Sequence, residues 1–290
     1  MTRCSPTSGR ANWPRVTDVN SDLIAELVGL GLERREARWL VEEFVPGADL
    51  DAVPALRLAA QRRLAGEPLQ YIIGHWPFRS LDLDVDERVL IPRPETEELV
   101  DVALRELVRL DVVAPAILDL GCGSGAIGLA LLDELRSRGL AASLVAVDES
   151  LDALAVARRN ALKHHLHAVS FVHSTWFEQL DPTLEGHFDL IVSNPPYVGE
   201  RELNDLDPVL GFEPRGALVA PDASGVVGFA DLALIIGAAP RWLKPYGALV
   251  CEHGLHQRDA VLAASRDAGF DDVVDLDDLA GHPRILVARR

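Results

Sequence analysis

The feature that most confines the fold is Ile117-Leu118-Asp119-Leu120 running straight into Gly121-Cys122-Gly123-Ser124-Gly125 and then into a helix-forming stretch. A short, mostly apolar run stopped by glycines reads as a buried strand. The glycines permit a sharp turn and let a ligand approach the main chain. Strand, glycine loop and helix in that order open a doubly wound α/β sheet, so strands and helices should alternate from here on. Strands are expected at Leu144–Val147, Val169–Val172, Phe188–Val192, Ala248–Cys251 and near Val273 and Ile285. Helices are expected at Gly125–Arg138, Leu151–Lys163, Val226–Leu243 and Leu255–Ala268. Such alternation implies an α/β fold, a largely parallel Rossmann-like sheet with helices on both faces.

Upstream the pattern changes. From Asp18 to about Gly74 apolar residues recur at helical spacing (Leu23, Leu27 and Leu30, then Ala37, Leu40, Val41 and Phe44), and a third helix spans Val53–Leu64. Alternation at Leu81, Leu83, Val85, Val89 and Ile91 suggests a β-hairpin turning near Asp86-Glu87, and Pro92–Glu97 opens a helix to about Leu110. Met1–Thr17 holds Arg3, Arg10 and Arg15 without an acid or the apolar segment of a secretory signal, and reads as a disordered tail. The expected order is therefore a tail over 1–17, a small N-terminal helical domain over 18–75, a linking hairpin over 76–92 and the α/β domain over 93–290.

Composition narrows the partners. A net charge of −17 lacks the basic footprint of a phosphate binder, so no direct nucleic-acid partner is expected. The acidic surface suits a basic protein or simply keeps the chain in solution. No stretch reaches the length of a membrane span, and Cys4, Cys122 and Cys251 give no disulfide framework, so a cytoplasmic location is expected.

The chemistry centres on Asn194-Pro195-Pro196-Tyr197 at the end of the Phe188–Val192 strand. The prolines lock φ and cannot donate, which holds the neighbouring carbonyls in one direction. The Asn194 side-chain oxygen and the Pro195 carbonyl could then accept both hydrogens of a planar NH₂ group, with Tyr197 as an aromatic wall. Orientation of reactants can supply about 7–11 kcal/mol of a barrier. The plain alternative is a turn that merely ends a strand. Asp148 closes the next strand after the glycine loop, where a carboxylate would meet ribose hydroxyls. Gly123-x-Gly125-x-x-Gly128 also satisfies a dinucleotide fingerprint, but no hydride-transfer partner appears, and Gly121-x-Gly123-x-Gly125 suits S-adenosylmethionine. The long connection Val198–Gly225 reads as a substrate-facing lid, with Phe212-Glu213-Pro214-Arg215 able to close over the site. The acids around Thr96 read as helix-start chemistry, and Glu252 as either a pocket residue or a structural pair. His164, His165, His167 and His173 find no cysteine or paired carboxylate to complete a metal set, and no metal is expected.

Gly121–Gly125, Asp148 and Asn194–Tyr197 resemble a class I S-adenosylmethionine-dependent methyltransferase. Gly66-Glu67-Pro68-Leu69-Gln70-Tyr71-Ile72-Ile73-Gly74, Leu90–Glu97, Trp176-Phe177, Phe212-Glu213-Pro214 and Ala280-Gly281-His282-Pro283-Arg284 further resemble the peptide chain release factor N5-glutamine methyltransferases, the HemK/PrmC family. That resemblance implies a donor site from Gly121, Cys122, Gly123, Ser124, Gly125, Asp148, Trp176 near the adenine, and Asn194. It implies that Asn194, Pro195, Pro196 and Tyr197 hold the substrate glutamine and are catalytic. The implied reaction converts S-adenosylmethionine and the glutamine of a Gly-Gly-Gln tip in bacterial class 1 release factors to S-adenosylhomocysteine and N5-methylglutamine. The N-terminal domain would bind the protein substrate, and a monomer is expected. A glutamine methyltransferase for a ribosomal protein, an adenine-N6 DNA methyltransferase and a non-catalytic assembly factor stay open. His253 and the loose turn Ala220–Gly228 depart from the family pattern.

Overall fold

The computed structural model describes residues 16–203 and 207–290, and the chain divides into two compact units, Met1–Ile73 and Gly74–Arg290. The tail expected over 1–17 lies outside the described residues except for Val16 and Thr17, which begin a helix.

The first unit contains α1 (Val16–Gly29), α2 (Arg34–Phe44), α3 (Val53–Leu64) and the short α4 (Leu69–Ile73). Their apolar faces meet in one core built from Leu23, Leu27, Leu40, Val41, Leu56 and Ile72. This is the amphipathic solution for short helices, which are marginal alone and gain stability by packing one stripe against another.

The second unit opens with a hairpin of β1 (His75–Phe78) and β2 (Leu81–Asp84). It turns at Arg79-Ser80, not near Asp86-Glu87. Arg79 takes the left-handed conformation (φ 52°) without a glycine to announce it. Asp86 instead closes the next turn, accepting from the Arg88 backbone N–H at 3.2 Å. Helix α5 (Pro94–Leu110) follows, with proline at its first position where no backbone donor is needed.

The remaining elements are β3 (Ala116–Leu120), α6 (Ala126–Ser137), β4 (Ser143–Asp148), α7 (Leu151–Lys163), β5 (Val169–His173) and β6 (Phe188–Ser193). Then come α8 (Arg215–Leu218), α9 (Ala230–Trp242), β7 (Leu243–Glu252), α10 (Arg258–Asp267), β8 (Asp272–Asp277) and β9 (Pro283–Arg289). The strands form one sheet of seven in the order β5-β4-β3-β6-β7-β9-β8, parallel except for β9, which runs against both neighbours. Both faces are covered. Ile117, Leu190, Val192 and Val250 point into a core with α5, α6 and α7; Leu118, Ile191, Leu249 and Cys251 point into the opposite core with α9 and α10. Burial on both sides is why these strands read as continuous apolar runs. Among the described residues no helix is long and apolar enough to cross a membrane.

Two boundaries move. Helix α9 starts at Ala230, four residues later than expected, because Asp222 Oδ1 accepts from the Gly228 N–H and Ala223 bridges to Val226. Strand β7 extends from Leu243 to Glu252, well beyond the apolar core of its sequence.

Candidate active site

Register places the functional ends at one level. Leu120 of β3 pairs with Val147 of β4 on one side and Ser193 of β6 on the other, and Ser193 pairs with Cys251 of β7. The residues just beyond these positions, Gly121, Asp148, Asn194 and Glu252, therefore share the carboxyl edge. The order of the strands, not their direction, reverses between the parallel neighbours β3 and β6, and α/β sheets bind ligands at such a switch point. The Ser193 hydroxyl donates to the Leu120 carbonyl at 2.7 Å, holding the two strand ends together where the crevice begins.

A cavity of about 390 Å³ opens there, lined by Gly121, Gly123, Asp148, Trp176, Asn194 and Pro196, among others. Pockets of this size hold small cofactors. The Gly123 N–H donates to Asp148 Oδ2 at 2.8 Å and the Ser150 N–H to Oδ1 at 2.9 Å, so the carboxylate is oriented by main chain on both oxygens. Burial pushes the Asp148 carboxyl up, against the pull of the two N–H donors. Gly121 has φ 70°, and a Cβ there would come 3.3 Å from the Trp176 ring. Glycine is thus required for close packing as well as for the turn. The Trp176 indole N–H is held by Asp231 at 3.0 Å.

Not every expected residue faces this cavity. Cys122 and Ser124 are buried behind the loop, and burial pushes the Cys122 thiol well up, which suits packing. Gly125 turns into α6 with φ 84°. Beneath the loop, Asp119 accepts from the Gly128 N–H at 2.9 Å through Oδ2, while its other oxygen is buried without a partner. Burial, opposed by the Gly128 N–H and reinforced by the Asp148 charge, pushes its carboxyl up to about 7. Asn160 of α7 ties the loop down, donating to the Ser124 carbonyl at 2.9 Å while accepting from the Asp84 N–H at 2.7 Å. Neither anchoring role was visible in sequence spacing.

In the tetrapeptide, Asn194 and Pro196 line the cavity, whereas Pro195 is buried and Tyr197 packs behind. Asn194 Nδ2 donates to the Thr96 hydroxyl at 3.1 Å, and its Oδ1 takes no hydrogen bond among the described residues. Thr96 donates to Glu252 Oε2 at 2.8 Å, and the Tyr197 hydroxyl donates to Oε1 at 3.1 Å. Burial raises the Glu252 carboxyl, opposed by both hydroxyls and by the charge of Arg284. The Tyr197 ring lies under the Arg284 guanidinium, 5.9 Å from its centroid, so it is a braced support and not the cavity's wall. Thr96 and Glu252, 156 residues apart, belong to this constellation, which helix-start chemistry for Thr96 left out.

The described residues of the Val198–Gly225 connection are tied by backbone and side-chain hydrogen bonds. Val198 N–H donates to the Leu218 carbonyl and Ala220 N–H to the Val198 carbonyl, closing the base of the excursion. The Phe212–Arg215 stretch is latched: Glu213 accepts from the Ile91 N–H at 3.1 Å and from Arg93 at 2.5 Å. Pro214, Gly216, Ala217 and Val219 line the cavity in this latched arrangement.

A methyltransferase small domain model matches residues 97–206. The release factor glutamine methyltransferase of Pasteurella multocida is 41% identical over 236 residues, covering 78% of this chain and 76% of its own. That of Vibrio cholerae is 41% identical over 239 residues, with 81% and 78% covered. The chain belongs to the release factor glutamine methyltransferases. As a member of that family it is a methyltransferase, and the dinucleotide reading of Gly123–Gly128 falls away. Solved structures agree on the fold: a methyltransferase from Pyrococcus furiosus superposes with a TM-score of 0.50 at 15% identity, covering 82% of this chain and 98% of its own. A 16S rRNA methyltransferase of T. thermophilus, solved with AdoMet and guanosine, gives 0.51 at 21% identity, covering 74% of this chain and 49% of its own.

Proposed function

We propose that this chain transfers the methyl group of S-adenosylmethionine to the side-chain N5 of the glutamine in the Gly-Gly-Gln motif of a bacterial class 1 release factor. The observation that carries the reading is Asn194: its amide nitrogen is engaged by Thr96, its oxygen is open, and it lines the same cavity as Asp148 and Gly121. In this reading Asp148, Gly121, Gly123 and Trp176 hold the donor, with Cys122, Ser124 and Gly125 shaping the loop behind it. The residues fit such a group, since the cavity pairs an oriented carboxylate with main chain free of side chains and an aromatic face. When bound, the donor supplies an electrophilic methyl on a sulfonium, whose C–S bond breaks with both electrons going to sulfur as the N–C bond forms.

The chain's own work is orientation. An amide nitrogen is a weak nucleophile because its lone pair is delocalised into the carbonyl. Asn194 Oδ1 and the Pro195 carbonyl would accept its two hydrogens and aim the lone pair, with Pro196 and Tyr197 keeping that corner rigid. No general base is needed, since one of the two hydrogens the amide nitrogen already carries becomes strongly acidic as the N–C bond forms and leaves to water. The N-terminal helical domain over 18–75, joined through the hairpin region 76–92 to the methyltransferase domain over 93–290, is proposed to bind the protein substrate and so exclude free glutamine.

The test is mass spectrometry of release factors incubated with the chain and S-adenosylmethionine. A gain of one methyl on the Gly-Gly-Gln glutamine is expected; methylation of a ribosomal protein instead would redirect the reading.

A further inference from the structure

The site contains a buried hydrogen-bond relay whose role goes beyond gripping an amide. Asn194 Nδ2 donates to Thr96 Oγ1, Thr96 donates to Glu252 Oε2, and Tyr197 donates to Glu252 Oε1, at 3.1, 2.8 and 3.1 Å. Thr96 is 4% exposed and Glu252 2%, so water does not substitute for the two residues at the centre of the relay. The participants come from α5, β7 and the end of β6, and folding alone brings them together.

The direction of the relay follows from donor counting. A hydroxyl has a single proton, and Thr96 directs it to Glu252. Only lone pairs of Thr96 then face Asn194, and these accept from Nδ2 but repel Oδ1. The carboxamide is therefore turned with its oxygen away from Thr96. An acceptor amide brings two N–H groups, so an Asn194 turned the other way would set donor against donor.

We propose that Glu252 is a positioning residue that acts through Thr96 to present the oxygen, and not the nitrogen, of Asn194 to the incoming amide. The same carboxylate takes the Tyr197 hydroxyl, so one buried group orients both ends of the tetrapeptide. A carboxamide at position 252 has one acceptor oxygen and cannot receive both hydroxyls in this way. The inference rests on the amide-methylation reading above.

The test uses the full chain with a release factor as acceptor and compares Thr96→Val, Thr96→Ser, Glu252→Gln and the Thr96→Val/Glu252→Gln pair. Single-turnover rates, S-adenosylmethionine affinity by calorimetry and melting temperature are measured for each. One net hydrogen bond biases an orientation about three- to tenfold, so Thr96→Val is expected to slow transfer by that factor. Donor affinity should stay within about twofold, because neither Thr96 nor Glu252 lines the donor cavity. Thr96→Ser, which restores the hydroxyl, should recover most of the rate, and the pair should be no slower than the slower single variant. A wild-type rate for Thr96→Val, a loss that Thr96→Ser does not recover, or multiplied losses in the pair would each overturn the inference. Failure of the unaltered chain to methylate glutamine would overturn the functional reading and this inference with it; normal transfer with an indifferent Thr96→Val removes only the inference.

Discussion

Gly228 lies about 30 residues beyond the tetrapeptide in sequence, yet its backbone sets where the tetrapeptide sits. A Cβ built there would come 2.2 Å from the Tyr197 carbonyl oxygen and 3.0 Å from the Gly199 nitrogen, both main chain and unable to rotate away. Opening the first contact even to 3.0 Å requires the Tyr197 carbonyl to retreat by about 0.8 Å. Gln257 blocks that retreat, since its Nε2 donates to the Val227 and Gly228 carbonyls at 2.8 and 3.1 Å and to Tyr197 O at 3.3 Å. Gly228→Ala should therefore cost about 1–2 kcal/mol for a left-handed alanine at φ 62°, plus about 1–3 kcal/mol of overpacking. A displacement near 1 Å at a reacting group costs about 10²-fold in rate. Gly186→Ala is the internal control: φ is 64° and nothing lies within 4 Å of the added methyl, so it carries the conformational cost alone. Urea unfolding and single-turnover methylation of both variants separate the terms. Gly228→Ala should lose more stability than Gly186→Ala and transfer about 10²-fold more slowly, with donor affinity retained. Equal rates for the two variants would refute the argument that Gly228 places the tetrapeptide.

Other outcomes follow from the same geometry. Asn194→Ala should slow methyl transfer by about 10²-fold or more while donor binding, read by calorimetry, is retained. Asp148→Ala should do the reverse first, weakening donor binding by about tenfold or more because a charge-assisted acceptor is removed. Asp119 gives a pH signature: its carboxyl stays protonated in the folded chain up to about 7 but ionises near 3.8 when unfolded. The folded state therefore holds the extra proton between those values, and stability should fall as pH rises across that window by up to about 4 kcal/mol. Asp119→Asn should flatten that slope in chemical unfolding measured from pH 4 to 8; an unchanged slope would place its origin elsewhere. Removing the residues before Gly74 should abolish release-factor methylation and leave donor binding intact, and persistent methylation would remove the substrate-binding role of that unit.

Local pattern determined much of this protein. The helix α7, with ends at Leu151 and Lys163, and α3, from Val53 to Leu64, were legible to the residue because hydrophobic periodicity and bounding turn residues act over a few positions. The strand–glycine loop–helix unit and Asn194–Tyr197 were legible because adjacent residues shape one ligand-facing turn. The hairpin turn at Arg79-Ser80 was not, since a left-handed arginine carries no glycine or proline signal and is held there by Glu97 accepting from its backbone N–H at 2.9 Å. The latch of Glu213 on Ile91 and Arg93 likewise spans about 120 residues. Nor does any spacing announce that Thr96, Glu252 and Tyr197 share hydrogen bonds, or that Asn160 ties the glycine loop to β2. Side-chain chemistry is written along the chain, but which buried donor meets which acceptor depends on strand register and helix placement. Only the folded sheet, with the ends of β3, β4, β6 and β7 at one level, decided that.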